Sequence, residues 1–228
     1  MGGNATAEFG SVRLSAQEYN DVTSELEKIF SNMNFDDDSF GFIKSYKSKE
    51  SFGDVDCLIT MDNSKFNNLL SESKNIKVVA KKGLSYAMQV LLPNGEYSIT
   101  FQFDYIKSSK ESFNFAFKYF AYNDLGNMIH RIAQQLNLKV GHLGLTKDLY
   151  LDKDANLTDV FSLKSQYEND KNNAASFKKN IIISTDFNKT LEFFGFDVEE
   201  YEKGFDKLED IFDFVIKSKY FKKEFFDL

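Results

Sequence analysis

Within the stretch from Tyr97 to Ile106, apolar and polar side chains alternate strictly from Tyr97 to Tyr105. This period of two is typical of a β-strand that buries one face and exposes the other. Apolar side chains occupy the odd positions, and the even positions carry Ser98, Thr100, Gln102 and Asp104. The pattern predicts a strand in a sheet, with Asp104 on the polar face.

Similar signals predict further strands before this one, whereas helical spacing takes over after residue 123. Strands are expected near residues 40–44, 55–61, 76–81 and 84–92, and helices over residues 15–33, 64–73, 123–136, 185–194 and 207–217. Ser15 and Glu18 have the spacing of a capping box, and Gly195 is a stop signal. The expected fold class is α+β: a mixed, mostly antiparallel sheet flanked by helices, with a helical C-terminal portion.

Composition excludes several classes of protein. The 228 residues include 35 acidic and 28 basic side chains, a net charge of -7, which argues against broad non-specific binding to nucleic acid. Cys57 is the only cysteine, so neither an intrachain disulfide nor a cysteine zinc site can form. No apolar run is long enough to span a bilayer and no signal-peptide pattern is visible, so we expect a cytoplasmic protein without a membrane partner.

The segment SFGDVDCLI, residues 51–59, is the most informative for chemistry. In a strand, Asp54 and Asp56 project from one face, and Val55, Cys57 and Ile59 project from the other. Two carboxylates about 7 Å apart on one face repel each other unless a cation lies between them. Hard oxygen ligands select Mg²⁺ or Mn²⁺. The alternative is an ordinary solvated strand face that binds no ligand.

Asp104 extends this hypothesis. If its strand is the neighbour of the strand that carries Asp54 and Asp56, all three carboxylates share the cations. A two-metal site of this kind suits in-line displacement at a phosphate. Three consecutive aspartates at 36–38 are a weaker candidate, because consecutive side chains point in different directions. We interpret them as a solvated loop or a helix cap.

A polar, basic loop, KSYKSKESFG at residues 44–53, leads into the strand. Its hydroxyls, amides and lysines are suited to holding a triphosphate, and Gly53 allows the backbone to approach a ligand closely. The candidate nucleotide-binding residues are Ser45, Lys47 and Gly53.

This arrangement resembles the signature of the DNA polymerase β-type nucleotidyltransferase superfamily, which has a Gly-Ser turn, a loop, Asp-x-Asp on a strand and a third Asp on a later strand. Ser45, Asp54, Asp56 and Asp104 match those positions. The chain is most similar to nucleotidyltransferase-like proteins of phages and large DNA viruses, which share the MGGNA of residues 1–5 and the Gln-apolar-Asp of residues 102–104. Lys44 departs from the signature, because it replaces the expected glycine.

The resemblance implies a nucleotidyltransferase sheet in a catalytic core at residues 1–120 and a mainly helical portion at residues 121–228. It implies transfer of a nucleoside monophosphate from an NTP to an acceptor hydroxyl, with release of pyrophosphate. Mg²⁺ or Mn²⁺ would be bound by Asp54, Asp56 and Asp104, which are the expected catalytic residues. An RNA 3′ end such as that of tRNA is the first expected acceptor, because the superfamily often uses one and because the C-terminal tail is locally basic at Lys217, Lys219, Lys222 and Lys223. The alternatives are a catalytically silent binding or regulatory module with the same fold and a metal-dependent nuclease.

Overall fold

The computed structural model of the protein describes residues 4–33, 39–151, 157–158 and 177–226. The aspartates at 36–38, most of the polar stretch 151–179 and the first three residues lie outside these ranges. The chain divides into two compact units, Met1–Phe113 (unit 1) and Asn114–Leu228 (unit 2). The division falls after residue 113. The domain boundary expected after residue 120 stays a prediction.

Both helices and strands occur along the described residues. The helices are α1 (Ala16–Asn32), α2 (Asn63–Glu72), α3 (Phe113–Phe120), α4 (Leu125–Gln134), α5 (Phe187–Phe194), α6 (Val198–Lys203) and α7 (Leu208–Ile216). The strands are β1 (Leu14–Ser15), β2 (Phe40–Phe42), β3 (Ser51–Phe52), β4 (Val55–Ile59), β5 (Ile76–Lys82), β6 (Ser85–Val90), β7 (Phe101–Lys107), β8 (Lys139–Gly141), β9 (Gly144–Leu151), β10 (Leu157–Thr158) and β11 (Phe177–Ser184). The predicted α+β class is confirmed.

A five-stranded sheet organises unit 1, in the order β2-β4-β7-β6-β5. Strands β4 and β7 run parallel, whereas the other neighbouring pairs are antiparallel. The sheet is thus mixed and mostly antiparallel, as predicted. The hairpin of β5 and β6 pairs Lys82 with Ser85 across a turn in which Gly83 has a φ of 65°.

Helix α1 begins at the predicted capping box. The Ser15 hydroxyl accepts from the Glu18 N–H at 3.3 Å, and the Glu18 carboxylate accepts from the Ser15 N–H at 2.8 Å. The buried face of the helix ends at Phe30, whose ring meets those of Phe66 in α2 and Phe103 in β7 edge-on at 5.6 and 6.1 Å. Aromatic packing therefore fixes both helices on the sheet of unit 1.

The strand predicted over residues 97–106 is correct only in its second half, because β7 begins at Phe101. Tyr97 and Ile99 are 45% and 42% exposed, and Ser98 donates its N–H to the carbonyl of Val90, the last residue of β6. The polar face also differs from expectation. Gln102 is 2% exposed, because the chain around Thr6 covers it.

Unit 2 contains helices, as predicted, and also a sheet in which β9 lies between β10 and β11 and pairs with β8. No local pattern predicts these strands, because they lie in or beside an Asn- and Lys-rich stretch without clear alternation. Gly195 ends α5 in the left-handed region, at a φ of 81°. Among the described residues, no helix combines the length and the hydropathy needed to cross a membrane.

Candidate active site

The parallel pairing of β4 and β7 brings the three predicted carboxylates together. Asp56 lies opposite Asp104 in the register, and Asp54 directly precedes β4. One carboxylate oxygen from each residue lies within 4.8 Å of the other two. All three side chains are half-buried. They are therefore close enough to bind the same cations.

The alternation of β4 explains why these side chains share a face. Val55, Cys57 and Ile59 are fully buried in the core of unit 1. The intervening Asp56 must therefore point away from that core. The hydrophobic anchoring of β4 thus fixes the direction of the acidic face.

The surroundings of Asp54 and Asp56 disfavour the ionised forms of their carboxyl groups. Burial, together with the charges of Asp54 and Asp104, raises the pKa of Asp56 to about 7. Burial and the charge of Asp104 also raise the pKa of Asp54. Ionised carboxylates at such a site repel one another, and a bound cation would relieve this repulsion.

Two basic side chains partly offset the negative charge. The pKa values of Asp54 and Asp56 remain raised, but the ammonium of Lys49 limits the rise for both groups, and Arg13 limits it for Asp54. Lys49 Nζ also lies 4.7 Å from the centre of the Phe52 ring, and burial lowers its own pKa. Lys49 is therefore a partly buried positive charge near the acidic face, in contact with an aromatic ring.

Helix α1 and strand β3 complete the surroundings. Tyr19 stacks on Phe52 at 3.8 Å between ring centres. Burial raises the pKa of the Tyr19 phenol, and the charge of Asp56 adds to this effect. Arg13 donates from Nε to the Ser51 hydroxyl at 2.9 Å. Tyr19 therefore stays neutral beside the acidic face.

The donor set fits a hard divalent cation. The three side chains offer only carboxylate oxygens, which Mg²⁺ and Mn²⁺ prefer. Burial, followed by the charges of the neighbouring carboxylates, raises the pKa values of Asp54 and Asp56, and a bound cation would favour their ionised forms. Asp54, Asp56 and Asp104 would hold such an ion.

Of the three predicted nucleotide-binding residues, Ser45 and Lys47 lie in the loop between β2 and β3, and Gly53 lies between β3 and β4. Ser45 is half-buried, Lys47 is exposed and Gly53 is buried. The N–H of Ile43, at the start of this loop, donates to the Asp56 carbonyl at 3.0 Å. The loop is thereby attached to the strand that carries the acidic face.

Sequence reasoning missed Lys49, Arg13 and Tyr19 as parts of this site. The only sequence signal for Lys49 is the group of lysines in the loop at residues 44–53, of which Lys47 was chosen as the candidate. Arg13 and Tyr19 precede the Asp-x-Asp strand by many residues, and the pairing of Leu14 with Phe52 brings them to it. A long-range pairing of this kind leaves no local signal.

The basic tail is partly neutralised within unit 2. Lys217 forms an ion pair with Glu200 at 2.6 Å. Lys219 Nζ lies 5.1 Å from the centre of the Tyr220 ring. Lys222 and Lys223 are exposed.

Comparisons with known proteins give only distant structural matches. No protein-family model and no curated protein sequence matches the chain. A solved structure of Leishmania infantum polymerase beta, a ternary P/T complex, is 19% identical with a TM-score of 0.47, and the match covers 62% of this chain and 60% of that one. A ternary gap complex of the same polymerase is 18% identical with a TM-score of 0.49, over 92% of this chain and 69% of that one. These values are too low to carry an argument about activity.

Proposed function

We propose that unit 1 is the core of a metal-dependent nucleotidyltransferase. It would move a nucleoside monophosphate from an NTP to an acceptor hydroxyl and release pyrophosphate. The supporting observation is the parallel register of β4 and β7, which sets Asp56 beside Asp104 and next to Asp54. Three convergent carboxylates suit the metal-assisted in-line displacement that this reaction requires.

In this proposal each group of residues has a separate task. Asp54, Asp56 and Asp104 hold Mg²⁺ or Mn²⁺, which when bound stabilises negative charge on the phosphoryl group and the leaving pyrophosphate. Ser45, Lys47 and Gly53 form the surface that receives the triphosphate. Lys49 contributes a further positive charge beside the carboxylates.

The proposed acceptor is an RNA 3′ end, such as that of tRNA. Exposed cations in the tail, Lys222 and Lys223, are suited to contact with a phosphate backbone. We propose that the reaction takes place in the cytoplasm, and in that of the host if the protein is of phage or viral origin.

A label-transfer experiment tests the reaction and identifies the acceptor. The purified protein is incubated with each α-labelled NTP, with Mg²⁺ or Mn²⁺, and with total RNA or a protein extract. The inactivated variant is Asp54→Ala/Asp56→Ala. The matched control is Asp21→Ala, because Asp21 is an exposed acid on α1 of the same unit.

Transfer of label by the wild type and by Asp21→Ala, but not by the double variant, would support the proposal. Label on RNA would support the proposed acceptor, and label on protein would replace it. No transfer, with no stabilisation of the protein by NTP and metal, would favour the silent binding module. Shortening of labelled RNA without NTP would favour the nuclease.

A further inference from the structure

Gln102 joins the third carboxylate of the site to the N-terminal segment. Its side-chain nitrogen Nε2 lies 3.1 Å from Oδ1 and 2.9 Å from Oδ2 of Asp104. Gln102 and Asp104 are two positions apart on β7, so their side chains share a face. The amide therefore contacts both oxygens of one of the proposed metal ligands.

The opposite end of the same amide is also held. Oε1 of Gln102 accepts from the backbone N–H of Thr6 at 3.2 Å. A side-chain amide has one accepting and one donating end, so this bond directs Nε2 towards Asp104. Gln102 is 2% exposed and Thr6 is fully buried, so water does not compete for these bonds.

The N-terminal segment is itself anchored beside β7. The Thr6 hydroxyl donates to the Ser11 hydroxyl at 2.8 Å, and the Val12 N–H donates to the Thr100 carbonyl at 3.0 Å. Between them, Gly10 turns the chain in the left-handed region, at a φ of 85°. The position of the Thr6 N–H is therefore restrained by its own hydroxyl and by the chain that follows it.

We infer that Gln102 is a positioning residue, which orients Asp104 for metal binding and is itself oriented by Thr6. This inference rests on the proposed function. Hydrogen bonds to both oxygens restrict rotation of the Asp104 carboxylate and keep it facing Asp54 and Asp56. Removal of such a supporting partner commonly weakens metal binding by about 10- to 100-fold.

Titration with Mn²⁺, followed by electron paramagnetic resonance, tests this role without measuring activity. In Gln102→Met the side chain keeps its length but loses the amide. In Gln102→Asn the amide remains, but it is too short to reach both Thr6 and Asp104. The matched control is Gln135→Met, because Gln135 Nε2 has no hydrogen-bond partner among the described residues.

We expect both Gln102 variants to keep the native circular dichroism and to bind Mn²⁺ about tenfold more weakly than the wild type. Gln135→Met should bind as the wild type does. Wild-type affinity in both Gln102 variants would overturn the inference and leave the proposed function intact. Loss of the native fold in both would overturn it too, because Gln102 would then serve only stability. Absence of Mn²⁺ binding to the wild type would overturn the proposed function itself, and the inference with it.

Discussion

Replacement of Asp56 by Asn should stabilise the metal-free protein. The pKa of Asp56 is about 7 rather than the ordinary 3.8, because of burial and the charges of Asp54 and Asp104. Each pH unit between the two values corresponds to about 1.4 kcal/mol, so ionisation of Asp56 at pH 8 opposes folding by up to about 4 kcal/mol. Solvent screening reduces this figure, and we expect Asp56→Asn to raise the free energy of unfolding by about 2 kcal/mol.

Urea denaturation with EDTA, followed by circular dichroism, measures this gain. The pKa of Asp56 is higher in the folded than in the unfolded protein, so the folded state binds more protons and wild-type stability falls as pH rises from about 4 to 7. The difference between Asp56→Asn and the wild type should therefore be largest at pH 8 and shrink towards pH 4. Asp21→Asn, which alters an exposed acid, should show little change. Equal stability of Asp56→Asn and the wild type at pH 8 would refute the reasoning.

Three further predictions concern individual residues. Ser15→Ala removes the cap of α1 and should lower the free energy of unfolding, measured by urea denaturation, by about 1 kcal/mol. An unchanged free energy of unfolding would contradict a stabilising capping box. Lys49→Met should raise the pKa of Asp56 further, because it removes an ammonium that opposes the effect of burial. Under the proposed function it should also weaken NTP binding, measured by calorimetry, by about tenfold, because a hydrogen bond to a charged group is worth about 1.5 kcal/mol. Lys77→Met, which changes an exposed lysine on β5 of the same unit, is its control, and equal affinities of Lys49→Met and the wild type would contradict the role of Lys49. Cys57 is fully buried with a raised pKa, so a thiol reagent should modify it only after unfolding, and modification of the native protein would argue against this placement.

Much of the local structure could be predicted from the sequence. The Ser15 cap, the β5–β6 hairpin and the helix end at Gly195 depend on residues a few positions apart, whose preferences act before any tertiary contact. The shared face of Asp54 and Asp56 follows from the same local rule, the period of two in a strand. Alternation alone was insufficient to locate the start of β7. The alternation begins at Tyr97, but Tyr97 and Ile99 are exposed, and the strand begins only at Phe101.

Within unit 1, the assembly of the site depended on long-range pairing. The sequence identified Asp104 as a possible partner of Asp56, but only the parallel register of β4 and β7 places them side by side. The positions of Lys49 and Arg13 beside the carboxylates likewise depend on how distant segments pair.

The sequence by itself predicted the three candidate carboxylates and the strand face that they share, because alternation is a property of the local backbone. Tertiary structure decided which side chains meet and which polar groups lose contact with water. Gln102 illustrates the difference. Its polar side chain predicts an exposed position, yet it is buried because the Thr6 N–H and the Asp104 carboxylate satisfy both ends of its amide. Neither partner can be inferred from the residues that surround Gln102 in the sequence, because hydrogen bonding of a buried amide depends on the folded chain as a whole.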